Sequence, residues 1–213
     1  MADPGMVAGG PAVLGPPRAG SGPVSGLPWW LWAARLALVA SVGFSVVFDD
    51  LPQFAGKGMG FRAPFYLLPL VVVPVVWWLR GRTAPYPAAV DLLTISPFLL
   101  DTLGNVFNFY NTYDSTDDVL HFLNWVLLGA AVALALLRTR LNPLSIWTMA
   151  WGIGGLAIIW WEAAEWLVQQ LGTSGLELTY GDTIGDLVLS STGGAVGAAV
   201  VLAISGLTTA GTG

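Results

Sequence analysis

Long apolar runs separated by short polar segments dominate this chain. A helix that spans a membrane needs about 20 mostly apolar residues. The second apolar run is short and contains Pro69 and Pro74, which predicts a kink, and the fifth is long enough to tilt or protrude. The pattern predicts an all-α polytopic membrane protein, a bundle of about six transmembrane helices at 28–48, 64–80, 88–108, 117–137, 145–170 and 182–206.

The composition agrees with that fold class. Hydrophobic residues make up 55% of the chain and charged residues only 10%, whereas soluble domains carry about 25% charged residues. The net charge of −5 argues against nucleic-acid binding, which needs a basic face. The chain has no cysteine, which excludes disulfides and thiolate ligands. The expected partner is therefore the lipid bilayer.

The two ends of the chain differ from the apolar middle. Residues 1–27 are rich in Gly, Pro and Ala, and such a segment cannot bury enough apolar surface to order itself. We expect a disordered cytoplasmic tail there, a transmembrane domain over 28–207, and a short C-terminal tail over 208–213.

The arginines indicate the orientation, because Lys and Arg in short loops favour the cytoplasmic side. The side opposite the arginine-rich loops holds only Lys57 and Arg62. Both termini are therefore expected in the cytoplasm. If six helices alternate, three pairs of arginines share one side: Arg18 and Arg35, Arg80 and Arg82, and Arg138 and Arg140.

The acids fall almost entirely on the other, extracytoplasmic half. The exceptions are Asp3 and Asp91, and an acid at the start of a helix, like Asp91, is explained by the helix dipole. The only histidine, His121, lies with the acids in the segment "DDVLHF" at 117–122. The charged chemistry of the chain is thus concentrated in one leaflet.

The acids recur at helical spacing. Either Asp117 or Asp118 can share a helix face with His121, at i,i+4 or i,i+3. Similar spacings recur in two later helices, and a polar stripe lies on the third. Because bundle-core metal sites combine such faces, we predict the metal ligands Asp118, His121, Glu162, Glu165, Asp182 and Asp186, supported by Asp101, Asn105, Asp114 and Asp117.

Burying these acids in a membrane costs free energy, which protons or cations have to offset. An acid at the centre of a spanning helix costs roughly 2.5–3.5 kcal/mol, and the outer half offers only Lys57, Arg62 and His121 as cations. Either some acids are protonated or a divalent cation is bound. Carboxylates with one imidazole suit Mg²⁺, Mn²⁺, Ca²⁺, Fe²⁺ or Zn²⁺, and spacing does not choose among them.

Structural explanations compete with the site. Ser115-x-x-Asp118 and Thr183-x-x-Asp186 match a helix-capping pattern, and Asn105 could simply join helices. Gly193-x-x-x-Gly197 indicates close helix packing. Glu162 and Glu165 cannot be caps, because an acid late in a helix opposes the dipole. They are the predicted catalytic residues.

The ordered motifs "YDSTDDVLHF", "EAAEW" and "TYGDTIGDLVLSSTGGAVGA" resemble the YjdF-type family of small bacterial inner-membrane proteins. They are more distantly similar to the VanZ-like family. The resemblance covers about residues 90–200. It implies a multi-helix membrane protein whose polar site uses Asp118, His121, Glu162, Glu165, Asp182 and Asp186.

Three functions are compatible with such a site. The first is metal-assisted hydrolysis or transfer on a lipid-linked or envelope substrate, with Glu165 or Glu162 as the base. The second is a proton- or cation-coupled transporter in which the acids titrate. The third is an accessory subunit that needs a partner protein. Few polar residues lie in the cytoplasmic half of the helices, which favours a one-sided site.

Overall fold

The computed structural model describes residues 26–173 and 178–206, which form eight helices. Helices α2 and α3 together make one span, Met59–Leu79, so six helical segments are long and apolar enough to cross a membrane, as predicted. The predicted C-terminal tail and all but the end of the predicted N-terminal tail lie outside the described residues. The helices are α1 Trp29–Val47, α2 Met59–Leu67, α3 Pro69–Leu79, α4 Ala88–Val106, α5 Phe109–Thr112, α6 Thr116–Leu136, α7 Pro143–Gln170 and α8 Tyr180–Ile204.

The second span begins earlier than predicted. It starts at Met59 rather than residue 64, after Gly58 turns the chain with a φ of 64°, a value that glycine adopts at no steric cost. Arg62 therefore lies inside the span and not in a loop. The helix is interrupted where the prolines predict a kink, because α2 ends at Leu67 and α3 starts at Pro69, which lacks the N–H needed to continue the hydrogen-bond pattern.

Helix α6 lies at the centre of the bundle and packs against α4, α7 and α8. The approach to α8 is the closest, because a Cβ at Gly193 or Gly197 would collide with the backbone of α6, at Val126 in the case of Gly197. The predicted packing role of these glycines is confirmed. The result is that the second turns of α6 and α8, with His121 and Asp186, lie side by side.

A buried ion pair joins three helices at the opposite end of the bundle. Asp91 is fully buried and accepts hydrogen bonds of 2.5 Å from both Arg35 and Tyr86. Arg35 also donates to the carbonyl oxygen of Leu70 at 3.1 Å. Asp91 does lie in the first turn of α4, but it is also the partner of an arginine across the bundle. The pair links α1, α3 and α4.

Aromatic packing brings α7 against α2 and α4. Trp161 stacks on Tyr66, with the ring centroids 6.0 Å apart and the planes 7° from parallel, and it meets Phe98 edge to face. Stacked and edge-to-face pairs are both favourable geometries. This contact sets the end of α7 that carries the two predicted glutamates beside α2.

Candidate functional site

The predicted site residues gather at one end of the bundle, where α4 and α7 end and α2, α6 and α8 begin. We call this the acidic end. His121 and Asp186 lie in the second turns of α6 and α8, and Glu162 and Glu165 lie in the last turns of α7. At 1.5 Å per residue, these side chains lie about 7–12 Å below the helix ends.

His121 connects α6 to α8. Its Nδ1 is 3.0 Å from the hydroxyl of the fully buried Ser190, and its Nε2 is 3.7 Å from an oxygen of Asp117 and of Asp186. One ligand atom from each of Asp117, His121 and Asp186 lies within 4.8 Å of the others. We call these three residues the aspartate triad.

A second group uses the same histidine. One ligand atom from each of His121, Glu162 and Glu165 also lies within 4.8 Å of the others, and we call this set the glutamate triad. The two triads bring together residues of α6, α7 and α8 around one imidazole. Carboxylates and histidine from facing helices are the donors of metal sites in helical bundles.

Glu162 is the most unusual of these side chains. It is only 6% exposed, and neither of its carboxylate oxygens has a hydrogen-bond partner among the described residues. A buried acceptor without a partner costs about 1–3 kcal/mol, and more if it is charged. The carboxylate of Glu162 therefore calls for a proton or a cation.

Glu165 forms an ion pair with Arg62, a residue that the hydrophobic pattern predicts in the loop before the second span. Arg62 donates to Glu165 across a distance of 2.8 Å, and both side chains are nearly buried, with exposures of 11% and 13%. Because α2 begins at Met59, Arg62 enters the bundle in the first turns of that helix. Glu165 is thus shared between Arg62 and the glutamate triad.

The supporting residues Asp101 and Asn105 on α4 are held by their neighbours. Asp101 accepts hydrogen bonds from the phenols of Tyr66 and Tyr110, and Asn105 accepts from Lys57 at 3.1 Å. Burial raises the pKa of Tyr110 well above its usual range, and the charge of Asp101 adds to that shift. The phenol of Tyr110 therefore stays protonated and donates.

Like Asp101 and Asn105, three more predicted residues lie outside both triads. Asp118 and Asp114 are exposed, and Asp182 is partly buried in the first turn of α8. Asp118 does not join either triad: the i,i+4 residue Asp117 is the one that lies beside His121. The cap of α8 is Thr179, whose hydroxyl accepts from the amide of Asp182, so Asp186 is not a capping residue.

A polar pocket opens beside the triads. Its apolar wall is formed largely by Phe98, Trp125 and Trp161 of α4, α6 and α7. Glu162 is not part of its lining, whereas Glu165 is. The polar side chains that line it are Arg62, Asp101, Asp117, His121, Asn124 and Glu165.

Sequence reasoning missed Asn124, Ser190 and the role of Arg62. Asn124 has a buried carbonyl oxygen with no hydrogen-bond partner among the residues described. Helical spacing could have indicated two of them. Asn124 follows His121 by three residues and Ser190 follows Asp186 by four, so each shares a helix face with a predicted site residue.

The chain belongs to the family described as "Predicted membrane protein (DUF2238)", whose model matches residues 28–206. The YjdF-type resemblance is thereby confirmed. No curated protein and no solved structure matched the chain. It is an integral membrane protein, and the chemistry of the acidic end has to be argued from its own residues.

Proposed function

We propose that the acidic end binds a divalent cation and that the protein is a metal-dependent hydrolase or transferase. With both termini in the cytoplasm of a bacterial inner membrane, the orientation that the arginine distribution favours, this site opens to the extracytoplasmic side. The carboxylate of Glu162 carries the proposal: it is buried, it has no hydrogen-bond partner among the described residues, and it lies beside His121 and Glu165.

The donor set suits a hard or borderline cation. Glu162 and Glu165 offer oxygens and His121 offers a nitrogen, while Asp117 and Asp186 each have an oxygen 3.7 Å from Nε2 of the same imidazole. Mg²⁺, Mn²⁺, Fe²⁺ and Zn²⁺ accept such ligands, and Ca²⁺ accepts the oxygens. Ser190 would fix the orientation of the ring from behind, as partners of metal-bound histidines do.

The polar pocket beside the triads is where the reacting group of a substrate would meet the cation. A divalent cation lowers the pKa of a bound water. Glu165 lines the pocket and Glu162 does not, so with one Glu165 oxygen on the cation the other, released from Arg62, would be better placed than Glu162 to take the proton. The chemistry that the cation would supply here is activation of water toward an ester or phosphoester. As the bond to the leaving oxygen breaks, Glu165 would return the proton to that oxygen.

The test is the metal content of the detergent-purified protein, measured by elemental mass spectrometry together with Mn²⁺ titration. We expect one bound divalent metal per chain or stoichiometric Mn²⁺ uptake. Loss of a partner behind a ligand costs roughly 10–100-fold in metal affinity, so loss of the direct ligand in Glu162→Gln should cost at least about 100-fold.

A matched pair of variants tests the geometry. Asp117→Asn should weaken Mn²⁺ binding, whereas Asp118→Asn should not, because Asp117 lies beside His121 and Asp118 is exposed. Equal effects of the two substitutions would contradict the aspartate triad. A wild-type protein that takes up no metal would contradict the proposal and would favour protonated carboxylates and proton-coupled transport.

A further inference from the structure

An apolar groove runs between α2 and α7, next to the polar pocket. Its α7 residues recur at helical spacing and so form one face of that helix, and the small side chains of Ala157 and Ala164 leave room between bulkier neighbours. Phe65 and Trp160 are 51% and 75% exposed at its edge. The apolar residues that line the groove are Phe65, Tyr66, Ala157, Trp160, Trp161, Ala164 and Val168.

The groove has the dimensions of a lipid chain. From Val168 to Ala157 the α7 face extends about 16 Å at 1.5 Å per residue. That is about half of the ~30 Å hydrocarbon core of a bilayer, or one leaflet. Helix α7 ends at the acidic end, so the groove runs from the acidic end toward the bilayer midplane.

The groove and the polar pocket meet at Arg62 and Glu165, which line both, as does Trp161. A molecule with its chain in the groove would therefore bring its head to His121 and Asp117 without leaving the membrane. An amphiphilic substrate requires such an apolar groove that continues into a charged pocket.

Arg62 determines which head group fits. A guanidinium has five N–H donors in a fixed fork that matches phosphate, and one of the five is used in the described hydrogen bond to Glu165. The guanidinium lies 5.2 Å from the Tyr66 ring, which helps to hold it at the head of the groove. The surrounding acids repel a phosphate unless a cation is bound among them.

We infer that the substrate is a membrane lipid with a phosphate head group, whose chain lies in the α2–α7 groove and whose phosphate contacts Arg62. This inference rests on the proposed cation site, because the cation is what makes the acidic pocket acceptable to an anion. Filling the groove should therefore abolish lipid binding but leave the cation ligands intact.

The experiment uses the full chain in detergent with Mn²⁺ and a dodecyl phosphate that carries a photoreactive diazirine in mid-chain. Cross-linked residues are mapped by mass spectrometry. We expect saturable labelling of the α7 face from Ala157 to Val168, displaced by unlabelled dodecyl phosphate. Dodecanol and inorganic phosphate should each compete at least about tenfold less well, since each lacks half of the recognised chemistry.

A matched pair on α7 tests the groove. Ala164→Phe fills it and should lower labelling at least about tenfold. Ala163→Phe adds the same ring at the adjacent exposed position, which is not part of the groove lining, and should leave labelling unchanged. Both variants should bind Mn²⁺ as the wild type does, which also reports that they are folded.

Each other outcome has a defined meaning. Equal competition by dodecanol would overturn phosphate recognition, competition by inorganic phosphate alone would overturn the lipid, and unchanged labelling of Ala164→Phe would overturn the groove. Stoichiometric Mn²⁺ without labelling would overturn this inference and leave the proposed cation site standing. Labelling without any Mn²⁺ uptake would contradict both the cation site and the need for a cation, and would support only the groove and Arg62 as lipid contacts.

Discussion

The hydroxyl of Ser190 should control metal affinity although it is not a ligand. It lies 3.0 Å from Nδ1 of His121 and is fully buried in α8. With Nδ1 engaged there, Nε2 is the nitrogen that faces Asp117 and Asp186. Ser190→Ala removes this hydrogen bond and lets the imidazole rotate, so that Nε2 no longer faces the two aspartates.

The magnitude follows from what such partners contribute elsewhere. Replacing the group behind a metal-bound histidine typically costs 10–100-fold in affinity, so we expect the Kd for Mn²⁺ to rise by roughly that factor in Ser190→Ala. The bundle should stay folded, because the substitution removes one hydroxyl and creates little empty space.

The assay is Mn²⁺ titration of purified wild type, Ser190→Ala and Ser191→Ala. Ser191 is the adjacent serine of α8 and accepts a hydrogen bond from Trp151 at 2.9 Å, away from His121. Ser191→Ala should bind Mn²⁺ as tightly as the wild type. Equal affinities for all three proteins would refute the view that Ser190 orients the histidine.

Further predictions concern the fold and the protons of the site. Arg35→Ala leaves Asp91 buried without its charge partner and should destabilise the protein by about 3–5 kcal/mol. Arg138 is exposed, so Arg138→Ala should change the stability by less than about 0.5 kcal/mol. Thermal unfolding of both variants in the same detergent measures the difference. Gly197→Ala pushes a Cβ into the backbone of α6 and should destabilise the protein by about 1–3 kcal/mol or more. A Cβ at Gly152 meets no neighbour within 4 Å among the described residues, so Gly152→Ala should be neutral or slightly stabilising. Metal affinity should fall as the pH falls, because protons compete with the cation for the carboxylates and the imidazole; a Kd for Mn²⁺ that is constant between neutral and acidic pH would contradict those ligands.

The six spans could be predicted because bilayer thickness fixes their length. The start of the second span could not, since two glycines and two cations in "KGMGFRA" have the composition of a loop. Arg62 enters the bundle there because Glu165, 103 residues later in the chain, provides its counter-charge. That pairing depends on which helices are neighbours in the bundle, and the hydrophobic pattern does not reveal the arrangement of the helices around the bundle.

The choice between Asp117 and Asp118 shows a similar limit. Helical spacing allows either to reach His121, and the buried face of α6 decides between them. That face also carries Trp125, which is 7% exposed and follows His121 by four residues. The i,i+4,i+8 series through Asp117, His121 and Trp125 was visible in the sequence. Its significance depends on α8 lying against that face.

The shared position of Glu165 has a consequence for the order of binding. A cation in the glutamate triad competes with Arg62 for this carboxylate, and a lipid phosphate at Arg62 would replace the lost counter-charge. Metal and lipid should therefore bind cooperatively. Coupling between two ligands is reciprocal, so dodecyl phosphate should lower the Kd for Mn²⁺ by the same factor by which Mn²⁺ lowers the Kd for dodecyl phosphate. Titrating each ligand with and without the other measures both factors. Independent binding of the two would contradict a carboxylate shared between Arg62 and the cation.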